Sequence, residues 1–151
     1  MDSPVLLSFM IRPLDGEGTE VLTIVPVLNA VSLTDMITHF EREKNFEPVG
    51  GYGGLVPTYY RYGPLDQYFM AESSNEGSTG DDKYLLGCIC GEVGCWPLTA
   101  RIVKTETSVV WDHFKQPHRP DRDYSDFGPF IFEIQQYRVA INEVASCFRE
   151  P

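Results

Sequence analysis

The order of patterns along the chain predicts an α+β fold: an antiparallel sheet made of an N-terminal hairpin plus a C-terminal three-stranded meander, with two main helices. Three observations lead there. The strand-like segments run together instead of alternating with helices. Short turn signals separate them. Two longer segments carry the 3.6-residue period of amphipathic helices.

The hairpin rests on two alternating segments, Leu6, Leu7, Ser8, Phe9, Met10, Ile11 and Val21, Leu22, Thr23, Ile24, Val25, Pro26, Val27. Between them, Asp15, Gly16, Glu17 and Gly18 form a turn signal. Pro26 has no N–H for a ladder, which places it at an edge or at the end of pairing. The first helix starts at Ser32, a good N-cap, with Asp35 in the capping-box position. Leu33, Met36, Ile37 and Phe40 then fall at i, i+3, i+4 and i+7 and make an apolar face. Glu41, Glu43 and Lys44 read as lying off that face, and His39 as a boundary residue beside it.

From 48 onward the pattern becomes irregular. Gly50, Gly51, Gly53 and Gly54 precede the aromatic residues Tyr59, Tyr60 and Tyr62. The glycines match neither the phosphate loop nor the dinucleotide fingerprint. A turn with positive φ values accounts for them; a mobile aromatic flap beside a binding surface is the functional alternative. Residues 71–82 (AESSNEGSTGDD) are small, polar and acidic and predict a flexible loop within a single domain spanning 1–151.

Segments 83–90, 96–104 and 108–114 predict the meander, joined through Gly91, Glu92, Val93, Gly94 and through Thr105, Glu106, Thr107. Residues 116–128 form a loop rich in Pro, Arg and Asp. Phe130, Ile131 and Phe132 predict a short strand or a buried entry. The closing helix places Ile134, Tyr137, Ile141, Val144 and Phe148 on one stripe. Cys147, beside that stripe, reads as a packed thiol.

With 151 residues, 42% of them hydrophobic, the chain buries enough surface to fold without a staple. Its net charge is −10, and both halves are acidic, so no basic footprint for nucleic acid is present. Such a charge keeps a protein soluble, and it steers a basic protein or cationic ligand if it serves recognition. The acidic start lacks the basic region of a signal peptide. No stretch reaches the ~18–20 apolar residues of a membrane helix. The expected setting is cytoplasmic, with no membrane partner and with reduced thiols.

Cys88, Cys90 and Cys95 lie within eight residues. Cys88 and Cys90 share a strand face, and Cys90 and Cys95 bracket a four-residue turn. Thiolates select zinc or iron–sulfur chemistry, and zinc asks for a fourth ligand, for which His113 or His118 is the candidate. The Cys-x-Cys-x4-Cys spacing lacks paired Cys-x-x-Cys units. Packing under Trp96 is therefore the first expectation, with no cofactor. A structural zinc at Cys88, Cys90, Cys95 and His113 is the alternative, and a disulfide between Cys90 and Cys95 a third.

The run from Trp111 to Tyr124 mixes aromatic, imidazole, guanidinium and carboxylate groups. Trp111, His118, Arg119 and Tyr124 are candidate binding residues because their types dominate hot spots, and Tyr59 and Tyr60 join them from the irregular segment. Asp112, Asp121 or Asp123 next to a histidine suits acid–base work, and cysteine with histidine suits nucleophilic chemistry, but no catalytic spacing is present. The leading expectation is a non-enzymatic protein-binding domain with a basic partner, an immunity-like protein against a basic toxin being one form of it. A metal-containing domain and an enzyme using His118 and its neighbours are the alternatives.

The stretches CICGEVGCWPLTARI and VVWDHFKQPHRPDRDYSDFGPFIFEIQQY together resemble a group of small bacterial proteins with no assigned activity. The common features are a CxCGxxGCWPL hairpin and a W-x2-F-x-QPHR loop, within about 84–144. The resemblance implies that hairpin and loop belong to one structural unit. It brings no activity, cofactor or site residue with it.

Overall fold

The structure is a computed structural model that describes residues 4–13, 22–56, 68–70, 82–88 and 97–147. β1 (Leu7–Pro13) pairs antiparallel with β2 (Leu22–Leu28), in a register running from Leu7 opposite Leu28 to Pro13 opposite Leu22. β3 (Val31–Ser32) returns along β2. The two residues between β2 and β3, Asn29 and Ala30, both have positive φ (51° and 71°). Two left-handed residues make the tight turn that matches strand twist.

The second sheet also runs in chain order: β4 (Tyr52–Gly53), β5 (Asp82–Cys88), β6 (Leu98–Lys104), β7 (Ser108–Lys115) and β8 (Phe130–Glu133). α1 (Leu33–Glu43) follows β3, and α2 (Ile134–Ser146) follows β8. The α+β class holds, with antiparallel sheets and two helices among the described residues. The sheet arrangement differs from the expectation. The hairpin is part of a three-stranded sheet, and the meander is the middle of a five-stranded one. β3 and β4 are two residues long, too short to carry any alternation a sequence reader can detect.

Pro26 does not end the pairing: it lies opposite Phe9 within β2, which has partners on both sides. Ile24 exchanges two backbone hydrogen bonds with Leu55 (2.8 and 3.0 Å), so its N–H points away from β1. Two residues on, the Pro26 nitrogen points the same way, where no described strand pairs with it. The Ile24–Leu55 bridge also ties the two sheets together. Gly54 permits it, because a Cβ there would stand 2.5 Å from the Ile24 carbonyl oxygen.

Ser32 caps α1 by accepting from the Asp35 N–H at 3.2 Å. Leu33 and Ile37 are fully buried, and Met36 and Phe40 pack against the core from partly buried positions. α2 is capped by Glu133, whose carboxylate accepts from the N–H groups of Gln135 (2.8 Å) and Gln136 (3.0 Å). Those bonds hold its pKa below the ordinary value. Gln136 then clasps the outer edge of β1, accepting from Leu7 N–H (3.0 Å) and donating to Leu7 C=O (2.7 Å). Ile134, Tyr137, Ile141 and Val144 are buried as the stripe predicts. Cys147 is exposed and not packed, because the helix ends there; its Sγ donates to the Glu143 carbonyl at 3.6 Å.

The core gathers residues of both sheets and both helices in one cluster. At its centre the Trp111 indole N–H donates to the Tyr137 hydroxyl (3.0 Å), which donates in turn to the Phe69 carbonyl (2.6 Å). The predicted turn at 15–18, most of the loop 71–82, the turn 91–94, Trp96 and Phe148 lie outside the described residues. No helix of the described residues is long and apolar enough to cross a membrane.

Candidate functional site

The site begins with an irregularity in β7. Asp112 pairs with Arg101 and Lys115 with Thr99, so His113 and Phe114 together oppose the single residue Ala100. This is a β-bulge, with His113 at φ 53°. Histidine is among the few non-glycine residue types that visit this region with any frequency. Arg101 grips Asp112 with two parallel bonds, Nε to Oδ1 at 3.0 Å and Nη2 to Oδ2 at 2.9 Å. His113 Nδ1 lies 3.0 Å from Asp112 Oδ1. The Arg101 hydrogen bonds, followed by that of His113, outweigh burial and hold Asp112 below the usual carboxylate range.

Beyond β7, residues 116–129 wind through successive turns. Arg119 N–H bonds Gln116 C=O (2.8 Å), Arg122 N–H bonds Arg119 C=O (3.0 Å), and Phe127 N–H bonds Tyr124 C=O (2.9 Å). The loop is anchored on α1 by a residue that the helical pattern left off the apolar face. Glu41 is fully buried. Its Oε1 accepts from Gly50 N–H at 2.8 Å. Its Oε2 accepts from the hydroxyls of Tyr52 and Tyr124, each at 2.6 Å, and from Arg122 Nη1 at 3.2 Å. Arg122 Nη2 donates to the Pro48 carbonyl at 2.6 Å, and its guanidinium lies 5.0 Å from the centre of the Phe46 ring. Gln116, also buried, accepts from His118 N–H (3.0 Å) and reaches the Tyr52 hydroxyl (3.5 Å). A buried charge is tolerated only when it is paired and its remaining lone pairs are filled, and here they are.

Electrostatics follow the geometry. Burial, then the Glu41 carboxylate, pushes Tyr52 well above the ordinary phenol value. Burial pushes Tyr124 up to about 12, with Arg122 pulling against it and Glu41 adding to it. Burial works against the Arg122 charge, but Tyr124 and Glu41 more than restore it and the pKa is raised. At the far end of the loop, Lys44 holds Asp126 at 2.9 Å.

Among the described residues, this loop lines a larger and a smaller cavity. The larger, about 430 Å³, is open and has Phe114, Tyr124 and Phe127 in its wall, with Asp112, His113, Lys115, Arg122, Asp123 and Ser125 as polar groups. Its size falls within the range of ligand sites. The smaller, about 130 Å³, lies against residues 115–122.

Of the predicted binding residues, the structure gathers some here and not others. Trp111 is wholly buried in the core and offers no surface to a partner; its place on the inward face of β7 decides this. Tyr124 lines the larger cavity with its ring and gives its hydroxyl to Glu41. Arg119 lines the smaller cavity. His118 is exposed beside it, tied through its backbone N–H. Tyr59, Tyr60, Cys90 and Cys95 lie outside the described residues, as does the Cys88 side chain at the end of β5. Among the described residues no group of three or more His, Cys, Asp or Glu converges as a metal site, and His113 turns to Asp112.

Glu41, Gln116 and Arg122 escaped the sequence reading as site-forming residues. One signal was available for Glu41: it stands four residues after Ile37 and eight after Leu33, on the buried side of α1.

Fold and site together define an α+β domain of two antiparallel meanders, with a loop-built cavity pinned to a buried carboxylate. Comparison with protein-family models, with curated proteins and with solved structures found no match to the chain.

Proposed function

We propose that this chain is a non-enzymatic protein-binding domain whose partner is basic, and that the larger cavity takes one of the partner's arginine or lysine side chains. The observation that supports this is an aromatic wall beside the carboxylates of Asp112 and Asp123 in one open cavity of about 430 Å³, on a chain with a net charge of −10; Lys115 and Arg122 also line it, the latter with its charge paired to Glu41. An aliphatic stem packs against Phe114, Tyr124 and Phe127, and the cation meets their ring faces and Asp123. Asp123 is exposed, and its hydrogen bonds from Ser125 lower its pKa, so it presents a negative charge at neutral pH. The net charge raises the encounter rate of a cationic partner. An immunity-like role, covering a basic toxin, is one form this function takes.

The test is fluorescence anisotropy with a labelled arginine-rich peptide and a glutamate-rich control. Saturable binding that weakens with salt is expected, and Ser125→Arg, which adds a cation at the exposed rim of the cavity, abolishes it. No saturable binding at low salt, or equal binding by the Ser125→Arg protein, overturns the proposal.

The Asp112–His113 contact favours a second reading, acid–base chemistry. With Nδ1 held by Asp112, the other ring nitrogen has no hydrogen-bond partner among the described residues, and His113 lines the cavity. This moves the enzyme alternative from His118 to His113. A His113→Gln protein that keeps every measurable phenotype of the native chain removes that reading.

A further inference from the structure

The outer edge of β1 is filled at its start and open further along. In this strand the backbone N–H and C=O of every second residue point away from β2. Two observations fix which residues these are. Leu7 bonds the Gln136 side chain through both its N–H and its C=O, outside the sheet. Ile11 stands opposite Ile24, whose N–H turns away from β1 to Leu55, so those two residues do not bond each other. Just before the strand, Val5 N–H meets the Ile131 carbonyl of β8 at 2.8 Å in the same phase. Phe9 and Ile11 follow, and their outward groups bond nothing among the described residues. Pro13 ends the strand with no N–H to give.

The open window thus runs from Phe9 to Ile11 and is centred on Met10. No bulge interrupts its register with β2, although a bulge is a usual way to blunt an edge. Ile11 is 37% exposed, on the strand face that carries Leu7 and Phe9 into the core. From Ser8 to Arg12 the sole charged residue is Arg12.

We propose that this edge is an interface with a second copy of the chain, the two β1 strands pairing antiparallel about a two-fold axis at Met10. That register sets Phe9 of each copy opposite Ile11 of the other, and every outward group of both residues gains a partner. A register centred on Phe9 sets Ile11 against Leu7, whose groups Gln136 already fills. One centred on Ile11 sets Phe9 against Pro13, which leaves the Phe9 carbonyl without a donor. A two-fold interface has to be complementary to itself. A window closed on both sides of Met10 meets that condition, and this selects a second copy over an unrelated strand. Phe9 against Ile11 is a favourable aromatic and β-branched pair, and Arg12 falls opposite Ser8, so no like charges meet. The interface does not depend on the larger cavity. Salt separates the two: each copy carries a net charge of −10, so screening strengthens this pairing and weakens the capture of a basic partner.

The experiment is sedimentation of the whole chain over a concentration series reaching about 1 mM, where even a millimolar Kd leaves pairs visible. A reversible equilibrium between one chain and two is expected, moving toward two as salt is added. Amide exchange at Phe9 and Ile11 slows about tenfold once nine chains in ten are paired, because only the unpaired tenth exchanges there. Ile11→Pro removes an outward N–H and leaves the bonds to β2 in place. Ile11→Lys puts a charge on the edge. Both are expected to sediment as single chains, with urea midpoints close to that of the native chain to confirm folding. A native chain that stays single at every concentration, a pair that both variants keep, or exchange at Phe9 and Ile11 unmoved by concentration overturns the proposal.

Discussion

The guanidinium of Arg122 lies 3.2 Å from the carboxylate of Glu41, a residue eighty-one positions earlier in the chain and without exposed surface. This contact joins α1 to the loop that forms the walls of both cavities. Truncating one member of a buried pair leaves the other as an uncompensated charge. Glu41→Ala is therefore expected to cost about 3–5 kcal/mol of stability. Glu41→Gln, which keeps an acceptor oxygen, costs less. Urea unfolding of the two variants measures this, and a loss below ~1 kcal/mol for Glu41→Ala would show that the pair is dispensable.

Alkaline pH tests the same network from the tyrosine side. Tyr52 and Tyr137 are raised, Tyr124 to about 12, and burial is the largest cause for all three. In the unfolded chain a tyrosine ionises near ~10. Between that value and the folded one, the folded state keeps protons that the unfolded state releases. Stability is thus full below about pH 10 and falls as pH rises beyond it, by roughly 1.4 kcal/mol per pH unit for each such tyrosine. Urea midpoints on either side of the phenol range should drop together with the appearance of tyrosinate absorbance. Early, reversible ionisation of every tyrosine in the folded protein contradicts this.

Acid pH tests the bulge. Asp112 is held low chiefly by its bonds from Arg101. Its contribution is complete above the ordinary carboxylate value near ~4 and is lost as pH falls through its lower folded value. The pair is partly exposed, with Arg101 at 40%, so screening keeps the contribution under about 1 kcal/mol. Arg101→Gln should shift the carboxyl titration of Asp112 upward, read by carbon-detected NMR. An unchanged titration removes Arg101 as the cause.

Gly54 tests the seam between the sheets. A Cβ there meets the Ile24 carbonyl oxygen at 2.5 Å and its carbon at 2.9 Å, both backbone atoms that cannot swing aside. Gly54→Ala is expected to cost about 1–3 kcal/mol by forcing the Ile24–Leu55 bridge apart, with loss of amide-exchange protection at Ile24 and Leu55. Retained protection at both amides argues against the seam as drawn.

Much of the secondary structure is legible in the residues themselves. β1 and β2 read as strands, though in the fold β2 is buried at four successive residues instead of alternating; Ser32 and Asp35 mark a helix start, and Ile134, Tyr137, Ile141 and Val144 form a stripe that is buried in the fold. The misses share a cause. Trp111 looks like a recognition residue by type, but the face of β7 on which it falls depends on what packs there, and Tyr137 and Phe132 do. Cys147 looks packed because it neighbours a stripe, but the helix stops before it is covered.

α1 can be read from its own residues, from the Ser32 cap through Leu33 and Ile37, because capping and 3.6-residue spacing act over a few residues. That Glu41, on the same helix, faces inward follows from long-range packing. A carboxylate enters a core when donors meet it there. Those donors come from Gly50, Tyr52, Arg122 and Tyr124, on two segments that no local pattern connects.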